Sequence, residues 1–400
     1  MTETGNKPLA NLRILDLGTM VAGPAAATLM ADLGADVIKV EQPNGGDTLR
    51  ALGPFVEGES LWWNVEGRNK RSVTIDLRQA EGQELLKKLV ATADVVIENF
   101  RPGTMDNWNL GYEALRKVRK NLIMLSISGF GQTGPYAKRA GYDRIGMAFS
   151  GVLGITGFPD RPPVKVGTSL ADYSTATLGA FAVMVALHAR SQTGDGQHID
   201  LALYEPVFRY TDSMIPAFTR LDKPRERTGN VHQAAAPGDT FITRDGRYVI
   251  VTISGEVLFR KLCNAMDMER LLADPRFVSH SKRWENVTVI NDIVATWIAG
   301  RDSGEMAERF ERHGVPYSYV YTTQDILDDP HYAARGNIVT VDNPRIGPVR
   351  MPGPVPRFSG FSPAAPVAAP TLGEHNNEVF GSVLGLAPEA VASLHERGVV

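Results

Sequence analysis

The residue with the clearest chemical potential is Asp172, which follows a tight glycine turn and opens a stretch rich in Ala, Gly, Ser and Thr. Such small side chains leave room for a large ligand to approach. The unpaired amides and the macrodipole of a helix start also stabilise a negative charge. A carboxylate in this position can act as a covalent nucleophile. The same local pattern also fits a residue that only caps a helix.

A glycine-rich segment, Gly129–Gly134, follows a predicted strand and matches the G-x-G-x-x-G pattern of dinucleotide-binding loops. The residues after it, 135–141, contain a proline, a Lys-Arg pair and a glycine, which interrupt the helix that such a loop requires. We therefore interpret the segment as a structural or ligand-lining loop. The segment 18–23 lacks the Gly-Lys-Ser/Thr of a P-loop, so chemistry on nucleoside triphosphates is not indicated.

Three basic residues follow the ends of predicted strands: Arg101, Lys138 and Arg139. A parallel sheet binds its ligand at the carboxyl ends of its strands. A ligand that carries several phosphates needs isolated positive charges of this kind. Each of the three could equally be a solvated loop charge.

Histidine and cysteine give no sign of a metal site. The eight histidines lack the spacing of metal ligands, and the single cysteine excludes an internal disulfide and a thiolate metal site. His188 is interpreted as an ordinary helix residue, His232 as either a turn residue or a substrate contact, and Cys263 as a core residue. We expect no bound metal.

Composition and charge restrict the partners. Apolar residues make up 43% of the 400 residues and the net charge is −3, which is typical of a globular protein without general nucleic-acid affinity. The amino terminus lacks the apolar core of a signal peptide. The longest uncharged apolar stretch, 178–187, is too short to span a membrane. These features predict a cytoplasmic protein that binds neither nucleic acid nor a membrane.

Strands and helices alternate in the first part of the chain. Short apolar runs predict strands, and amphipathic or proline-initiated runs between them predict helices. This alternation predicts an α/β fold with a parallel sheet that is covered on both faces. The predicted strands are 13–17, 36–41, 72–77, 94–98 and 121–127, and the helices are 24–33 and 80–92.

The pattern changes near residue 205, where Asp245-Gly246 marks a hairpin and several helical stretches follow. We predict a large α/β domain in 1–205, a linker in 206–224 and a small α+β domain in 225–325. The remaining range, 326–400, is predicted as an extended return linker and the carboxyl-terminal part of the large domain. The Pro- and Gly-rich range 343–370 is read as a long surface connection, with a final helix near 387–397.

Short segments spread over nearly the whole chain resemble class III (family III) coenzyme A transferases, the superfamily of formyl-CoA transferase, carnitine CoA-transferase and α-methylacyl-CoA racemase. They are LDLGTMVAGP at 15–24, LGADVIKVE at 33–41, NKRS at 69–72, ENFRPG at 98–103, GFGQTGP at 129–135, GYD at 141–143, the segment around Asp172, GDGQ at 194–197 and LGEH at 372–375.

This resemblance implies a fold and an activity. The implied fold is an open, Rossmann-like α/β domain built from both ends of the chain, with a smaller α+β domain, in an interlocked homodimer. The implied activity transfers CoA from an acyl-CoA donor to a carboxylic acid acceptor. Coenzyme A is then a substrate, and no tightly bound cofactor is expected. Carboxylate exchange between thioesters is nearly balanced in energy, which agrees with the missing nucleotide-hydrolysing motifs.

The resemblance also implies roles for individual residues. Asp172 matches the aspartate that attacks the thioester and then carries CoA as an aspartyl-CoA thioester. Residues implied to bind coenzyme A are Val21, Ala22, Ile75, Asn99, Phe100, Arg101, Lys138, Arg139, Tyr142 and Asp143.

Two departures from the family pattern bear on the substrate. Formyl-CoA transferases carry a run of glycines over the site that 229–238 lacks, so oxalate and formate are disfavoured. The pattern is closer to members that use succinyl-CoA and short dicarboxylic acids. α-Methylacyl-CoA racemases have a His-Asp pair where this chain has Tyr142-Asp143, and proton transfer requires a base with a pKa near the working pH. A racemase and a non-catalytic CoA-binding protein are the alternatives.

Overall fold

The computed structural model describes residues 7–361, 363 and 365–400. It divides into two compact units. The first combines the chain up to Leu153 with Lys165–Ala217 and His331–Val400, and the second combines Gly154–Val164 with Phe218–Pro330. The domain boundaries predicted from the sequence stay a prediction.

A parallel sheet forms the centre of the first unit, with strand order β3-β2-β1-β4-β5-β6. The strand order reverses between β1 and β4, and doubly wound sheets bind ligands in the crevice at such a reversal. The predicted mixed α/β class with a parallel sheet is therefore confirmed. The strands are β1 Arg13–Asp16, β2 Asp36–Glu41, β3 Lys70–Thr74, β4 Val95–Glu98, β5 Ile123–Ser128 and β6 His198–Ala202.

Two strands differ from the sequence-based expectation by more than two residues at an end. The third strand ends at Thr74, because the Ile75 amide still bonds to the Glu41 carbonyl but residues 75–77 then turn away. The sixth strand, β6, was not predicted, although its five-residue sequence HIDLA alternates between polar and apolar residues over its first four positions.

Alternate residues of the strands enter two separate cores, one on each face of the sheet. In β1, Leu15 packs into one core with helix Ala80–Val90, and Ile14 packs into the other with helix Ala22–Ala31. Helix Leu170–Thr193 covers the second face through its small residues. The helices that cover the two faces of the sheet run antiparallel to its strands. Each of them therefore starts at the edge of the sheet where the strands end.

Further helices of the first unit connect and flank the sheet. The range 206–224, predicted as a linker, contains the end of helix Tyr204–Arg209 and the whole of helix Met214–Leu221, which begins in the first unit and ends in the second. The remaining helices are Thr48–Ala51, Leu61–Glu66, Thr104–Asn107, Tyr112–Val118, Asp143–Phe149, Leu153–Ile155, Tyr204–Arg209, Met214–Leu221, Pro330–Arg335, Asn376–Glu378, Val379–Val383 and Pro388–Glu396.

Two antiparallel hairpins complete the first unit. Phe55–Val56 pairs with Glu59–Ser60, and Ile338–Asn343 pairs with Gly347–Pro352. The start of the range 343–370, predicted as an extended connection, is thus paired into a hairpin, because 344–346 form a tight turn between two strand-forming runs.

The long helix Leu170–Thr193 extends beyond the uncharged apolar stretch 178–187 that the sequence indicated. Its 24 residues are long and apolar enough, by length and composition alone, to cross a membrane. The shorter estimate from the sequence stopped at polar and small residues that the helix nevertheless includes. A helix on the core of a globular protein passes the same test, so the observation is weak evidence for a membrane span.

The second unit contains a three-stranded antiparallel sheet of Gly238–Ile242, Tyr248–Thr252 and Tyr317–Tyr319. The predicted hairpin turn at Asp245-Gly246 joins the first two strands. Cys263 is fully buried in the core of this unit, as the sequence predicted. Its helices are Gly255–Ala265, Glu269–Ala273, His280–Glu285, Val287–Ala299, Ser303–His313 and Thr323–Asp328.

Candidate active site

A cavity of about 570 Å³ lies in the first unit at the carboxyl ends of β1, β4 and β5. Asp172 contributes to its wall. The other lining residues are Thr19, Met20, Val21, Ala22, Thr48, Leu52, Trp62, Asn99, Phe100, Arg101, Pro102, Ile127, Ser128, Gly129, Arg139, Ala140, Gly141, Tyr142, Asp143, Arg144, Lys165, Ser169 and Leu203.

Asp172 is the third residue of helix Leu170–Thr193, and Ser169 occupies the capping position. The interpretation of Asp172 as an N-cap is therefore wrong. Among the described residues, the Asp172 side chain accepts no protein hydrogen bond. Burial, with a smaller contribution from the negative charge of Asp143, raises the pKa of Asp172 to about 7. A carboxylate without partners in a partly desolvated cavity is a reactive one.

Asp143 holds the helix start that carries Asp172. Its Oδ1 accepts hydrogen bonds from the backbone amides of Ala171 at 2.8 Å and of Asp172 at 3.4 Å. The Ser169 side chain makes no capping bond, so the Asp143 carboxylate takes over this function from a distant position in the sequence. Asp143 itself is the first residue of the short helix Asp143–Phe149, whose start thus lies against the longer helix.

The glycine motif allows two loops to approach each other closely. A Cβ atom built on Gly129 would lie 2.6 Å from the Gly141 Cα, and one built on Gly141 would lie 2.5 Å from the Gly129 Cα. Two side chains could not pass at this point, so the loops touch through bare backbone. The contact brings Tyr142 and Asp143 to the cavity, and Gly129 of the motif also lines it, which agrees with a structural or ligand-lining loop.

Asn99 binds the backbone of the loop after β1. Its Oδ1 accepts from the Thr19 amide at 2.7 Å, and its Nδ2 donates to the Thr19 carbonyl at 2.8 Å. The next residue, Met20, has a φ of 63° and donates its amide to Asp47 Oδ1 at 2.8 Å. These contacts hold a strained loop in place at the cavity wall. The amide of Asn99 lines the cavity, but its hydrogen bonds are directed to the protein.

Beneath this loop lies a fully buried set of charges. Lys39 Nζ contacts Asp47 Oδ2 at 2.9 Å and also donates to the Gly18 carbonyl. Lys70 Nζ contacts Asp16 Oδ2 at 2.9 Å. Burial disfavours the negative charge of Asp16. The positive charges of Lys39 and Lys70 outweigh this effect and hold the pKa of Asp16 below its ordinary value. Such a network is costly to break, because removing one partner leaves an unpaired buried charge.

A second cavity, of about 190 Å³, adjoins the first at the ends of β1 and β2 and at the turn after β3. Thr19, Thr48 and Phe100 line both cavities. Ile75, Arg78 and the buried Lys39 belong to the second one. Together the two cavities trace a bent path along the carboxyl edge of the sheet.

The structure brings most of the predicted binding residues to Asp172. Ile75 lines the second cavity, and Lys138 is exposed in its loop and lines neither cavity. Those that line the cavity with Asp172 are Val21, Ala22, Asn99, Phe100, Arg101, Arg139, Tyr142 and Asp143.

Several lining residues were not found from the sequence. Trp62, Arg144 and Lys165 carry no local signal, since they reach the cavity only through the packing of separate helices and loops. His188 is exposed on its helix, and His232 lies in the second unit. In the described ranges, no group of three or more His, Cys, Asp or Glu side chains could hold a metal ion.

Comparison with known proteins agrees with this geometry. Residues 9–376 match the family model described as CoA-transferase family III. The chain is 42% identical over 395 residues to the succinyl-CoA–D-citramalate CoA-transferase of Chloroflexus aurantiacus, covering 98% of each chain. It is 32% identical over 395 residues to the human succinyl-CoA:glutarate CoA-transferase, covering 98% of this chain and 90% of that protein.

The fold is similar to a solved structure as well. A CAIB/BAIF family protein from Brucella suis superposes with a TM-score of 0.84 at 36% identity, over 94% of this chain and 99% of that one. The family resemblance inferred from short sequence motifs is thereby confirmed.

Proposed function

Because this chain belongs to CoA-transferase family III, we propose that it moves CoA from an acyl-CoA donor to a short dicarboxylic acid through a covalent intermediate on Asp172. Transfer of CoA is the activity of the family. The observation that carries the nucleophile assignment is the position of the Asp172 carboxylate, which lines the large cavity without a hydrogen-bond partner among the described residues.

The reaction needs four exchanges and no external proton. The Asp172 carboxylate attacks the thioester carbonyl and the C–S bond breaks. This step forms a mixed anhydride on Asp172 and releases CoA thiolate. The thiolate then attacks the aspartyl carbonyl, which releases the first acid and forms aspartyl-CoA. The acceptor carboxylate attacks the aspartyl-CoA thioester, which forms a second mixed anhydride and again releases CoA thiolate. Thiolate finally attacks the acceptor acyl carbon and regenerates Asp172. Each barrier is smaller than that of a direct exchange.

The electrostatics of the site support this role. A pKa of about 7 leaves Asp172 substantially ionised at neutral pH, yet poorly solvated and free of neutralising partners. Each tetrahedral intermediate carries an oxyanion that backbone amides can stabilise. Gly129 and Gly141 expose backbone without side chains at the cavity wall, which makes their loops suitable for that contact.

The two adjoining cavities support the binding of an extended ligand. Coenzyme A has a nucleotide end and a long pantetheine arm that ends in the thiol. We place the nucleotide where the two cavities adjoin, with one end near Arg78 in the smaller cavity, and the arm in the larger cavity, which reaches Asp172. Arg101 and Arg139 at the rim of the larger cavity supply positive charge for the phosphates.

Positive charge in the larger cavity supports a dicarboxylic acceptor. Arg144 and Lys165 line it together with Asp143 and Asp172, and their positive charges would attract the second carboxylate of such an acid. The relatives named above are succinyl-CoA transferases for citramalate and glutarate, which are both dicarboxylic. Succinyl-CoA is accordingly the first donor to test.

A homodimer is supported by the outward face of helix Leu170–Thr193. Phe181 is 63% and Val185 51% exposed, and Leu178 and Met184 extend the same apolar stripe. Several large apolar side chains exposed along one helix face favour burial against a partner. We propose that a second copy of the chain covers this face in an interlocked dimer. Light scattering that gave a monomer mass at micromolar concentration would contradict this assignment.

The decisive experiment is incubation with acyl-CoA donors and free acids, followed by mass spectrometry of the intact protein. We expect a CoA or acyl adduct on Asp172 that hydroxylamine removes or borohydride reduces, and ping-pong kinetics. Asp172→Asn should bind CoA esters but transfer nothing, while Asp195→Asn, an exposed control just beyond the same helix, should keep full activity. Full transferase activity of Asp172→Ala would contradict the proposed role of Asp172.

The alternatives give different results in the same assay. A racemase would exchange the α-proton of an acyl-CoA with deuterated solvent and leave no adduct on the protein. A non-catalytic CoA-binding protein would bind CoA esters equally well before and after Asp172→Asn, with no turnover in either form.

A further inference from the structure

A hydrogen-bonded chain of three side chains lies beside Asp172. Trp62 Nε1 donates to the Tyr173 hydroxyl at 3.0 Å, and that hydroxyl donates to Glu66 Oε1 at 3.0 Å. Trp62 and Glu66 belong to the short helix Leu61–Glu66, and Tyr173 directly follows Asp172. The chain therefore joins two helices that are far apart in the sequence.

The direction of this chain is set by its chemistry. An indole N–H can only donate a hydrogen bond. The Tyr173 oxygen therefore accepts the bond from Trp62, and the Tyr173 O–H donates to Glu66. Glu66 is 5% exposed, and burial raises its pKa. Burial, together with the nearby Glu66 carboxylate, also raises the pKa of Tyr173, so the phenol stays protonated and able to donate.

The Glu66 end is anchored on the core of the first unit. The Thr28 hydroxyl donates to the Glu66 carbonyl at 2.6 Å, which ties the end of helix Leu61–Glu66 to helix Ala22–Ala31. Thr28 is itself buried on that helix. The chain thus connects the residue next to the nucleophile with a rigid element, while Trp62 forms part of the cavity wall.

Asp172 depends on such indirect support. Among the described residues its carboxylate has no hydrogen bond of its own, so its position follows from the first turn of its helix. Asp143 holds the amides of that turn on one side. The Tyr173 hydroxyl ties the same turn to helix Leu61–Glu66.

We propose that Tyr173 is a positioning residue of the transfer reaction, which through Trp62 and Glu66 aligns Asp172 with the acyl group and sets the length of acid that the cavity accepts. This inference rests on the proposed role of Asp172. A misplacement of about 1 Å at a reacting centre can cost roughly 100-fold in rate. The indole of Trp62, when held by Tyr173, limits the space beside the nucleophile.

The test compares Tyr173→Phe with the parent enzyme in the full-length protein. Loss of the hydroxyl removes both hydrogen bonds and keeps the ring. We expect kcat to fall about 10- to 100-fold, with KM for the acyl-CoA changed less than about 3-fold. The ratio of kcat/KM for a four-carbon against a five-carbon dicarboxylic acid should shift by about 5-fold or more, on the scale of one methylene.

Two further variants separate positioning from general stability. Glu66→Gln keeps an acceptor for the Tyr173 hydroxyl and should retain most of the rate and selectivity. Trp62→Phe removes the donor and should shift selectivity as Tyr173→Phe does. Tyr248→Phe, at an exposed tyrosine of the second unit, is the control and should match the parent. Backbone hydrogen exchange of the peptide 168–176 should rise in Tyr173→Phe alone among these tyrosine variants.

The outcomes distinguish the two levels of the proposal. If the parent enzyme transfers CoA through Asp172 but Tyr173→Phe matches it in kcat, selectivity and hydrogen exchange, the positioning role is overturned. If Tyr173→Phe is too unstable to assay, an unchanged selectivity in well-folded Trp62→Phe overturns the role equally. A parent enzyme that forms no adduct on Asp172 refutes the proposed function, and the positioning role falls with it.

Discussion

Asp143 Oδ1 accepts a hydrogen bond from the backbone amide of Asp172 at 3.4 Å, so the Asp143 carboxylate lies at the start of the helix that carries Asp172. The contact has two consequences. It fixes the backbone that carries Asp172, and it brings a negative charge close enough to reinforce the effect of burial on the pKa of Asp172. The backbone position of Asp172 and the acidity of its side chain therefore depend on the same residue.

The pH dependence of transfer should follow the ionisation of Asp172. Since only the carboxylate attacks, kcat/KM should rise with pH through an apparent pKa of about 7. Asp143→Asn keeps an Oδ1 acceptor for the helix amides but removes the neighbouring charge, so this limb should move to lower pH. Initial rates between about pH 5 and 9 test the shift. A limb at the same pH in both proteins would contradict it.

The same shift should make Asp172 a destabilising residue. Its pKa in the folded protein, about 7, lies above the ordinary value of 3.8. As pH rises between these values, the unfolded chain has already released the proton that the folded protein retains, so stability falls and stays lower above pH 7. Asp172→Asn should raise the free energy of unfolding at pH 8 by on the order of 2 kcal/mol.

Urea denaturation of Asp172→Asn and the parent at about pH 4 and pH 8 measures this difference. The gain should be small at about pH 4, because this pH is close to the ordinary pKa of 3.8 and the unfolded chain is only partly ionised there. An equal gain at both pH values would point to packing rather than to ionisation as its cause.

Asn99 should be required for binding of the CoA ester more than of the free acid. Asn99→Ala removes both contacts to the Thr19 backbone, at 2.7 and 2.8 Å, and releases a loop shared by the two cavities. We expect KM for the acyl-CoA to rise about 10-fold, which corresponds to a loss of roughly 1.4 kcal/mol. Asn377→Ala, at an exposed asparagine of helix Asn376–Glu378 that lines neither cavity, is the matched control. A rise in KM for the acid alone would exclude this role.

The close approach of two loops should make Gly141 intolerant of a side chain. In Gly141→Ala the new Cβ would lie 2.5 Å from the Gly129 Cα, so the backbone must shift and carry Tyr142 and Asp143 with it. We expect a drop in kcat of at least about 10-fold. Gly304→Ala, where nothing lies within 4 Å, should behave as the parent in the same assay. Full activity of Gly141→Ala would show that the loop contact is dispensable.

Arg144 should select for the second carboxylate of the acceptor. Arg144→Gln keeps a polar side chain of similar reach but removes the charge, so KM for a dicarboxylic acid should rise by about 10-fold or more. KM for a monocarboxylic acid of equal length should stay unchanged, which provides the internal control. Arg116→Gln, exposed on helix Tyr112–Val118, controls for the loss of net charge. Equal effects on both acids would argue against a contact with the second carboxylate.

Local patterns in the sequence were sufficient for the α/β class. The alternation of strands such as Asp36–Glu41 with amphipathic helices such as Ala80–Val90 is a short-range property, and it predicted both elements closely. The motif around Asp172 likewise identified the residue on which the proposed chemistry depends. Each of these signals is contained in a few consecutive residues, which is why it could be read without a structure.

Contacts between distant segments could not be read in that way. Trp62 and Tyr173 are separated by 111 positions, Asn99 and Thr19 by 80 and Asp143 and Ala171 by 28, and nothing local marks them as partners. Even the family resemblance placed Asn99 and Asp143 against the ligand without showing that their side chains are bonded to protein backbone.

By itself, the sequence determined the parallel α/β class and the segment that carries Asp172, because hydrophobic period and turn chemistry act over a few residues. Only the tertiary structure decided which carboxylate caps the helix of Asp172, that Lys138 lies away from the cavity, and that Trp62 lies within it. Those outcomes depend on how sheet and helices pack in three dimensions, where small differences in distance decide which polar groups become partners.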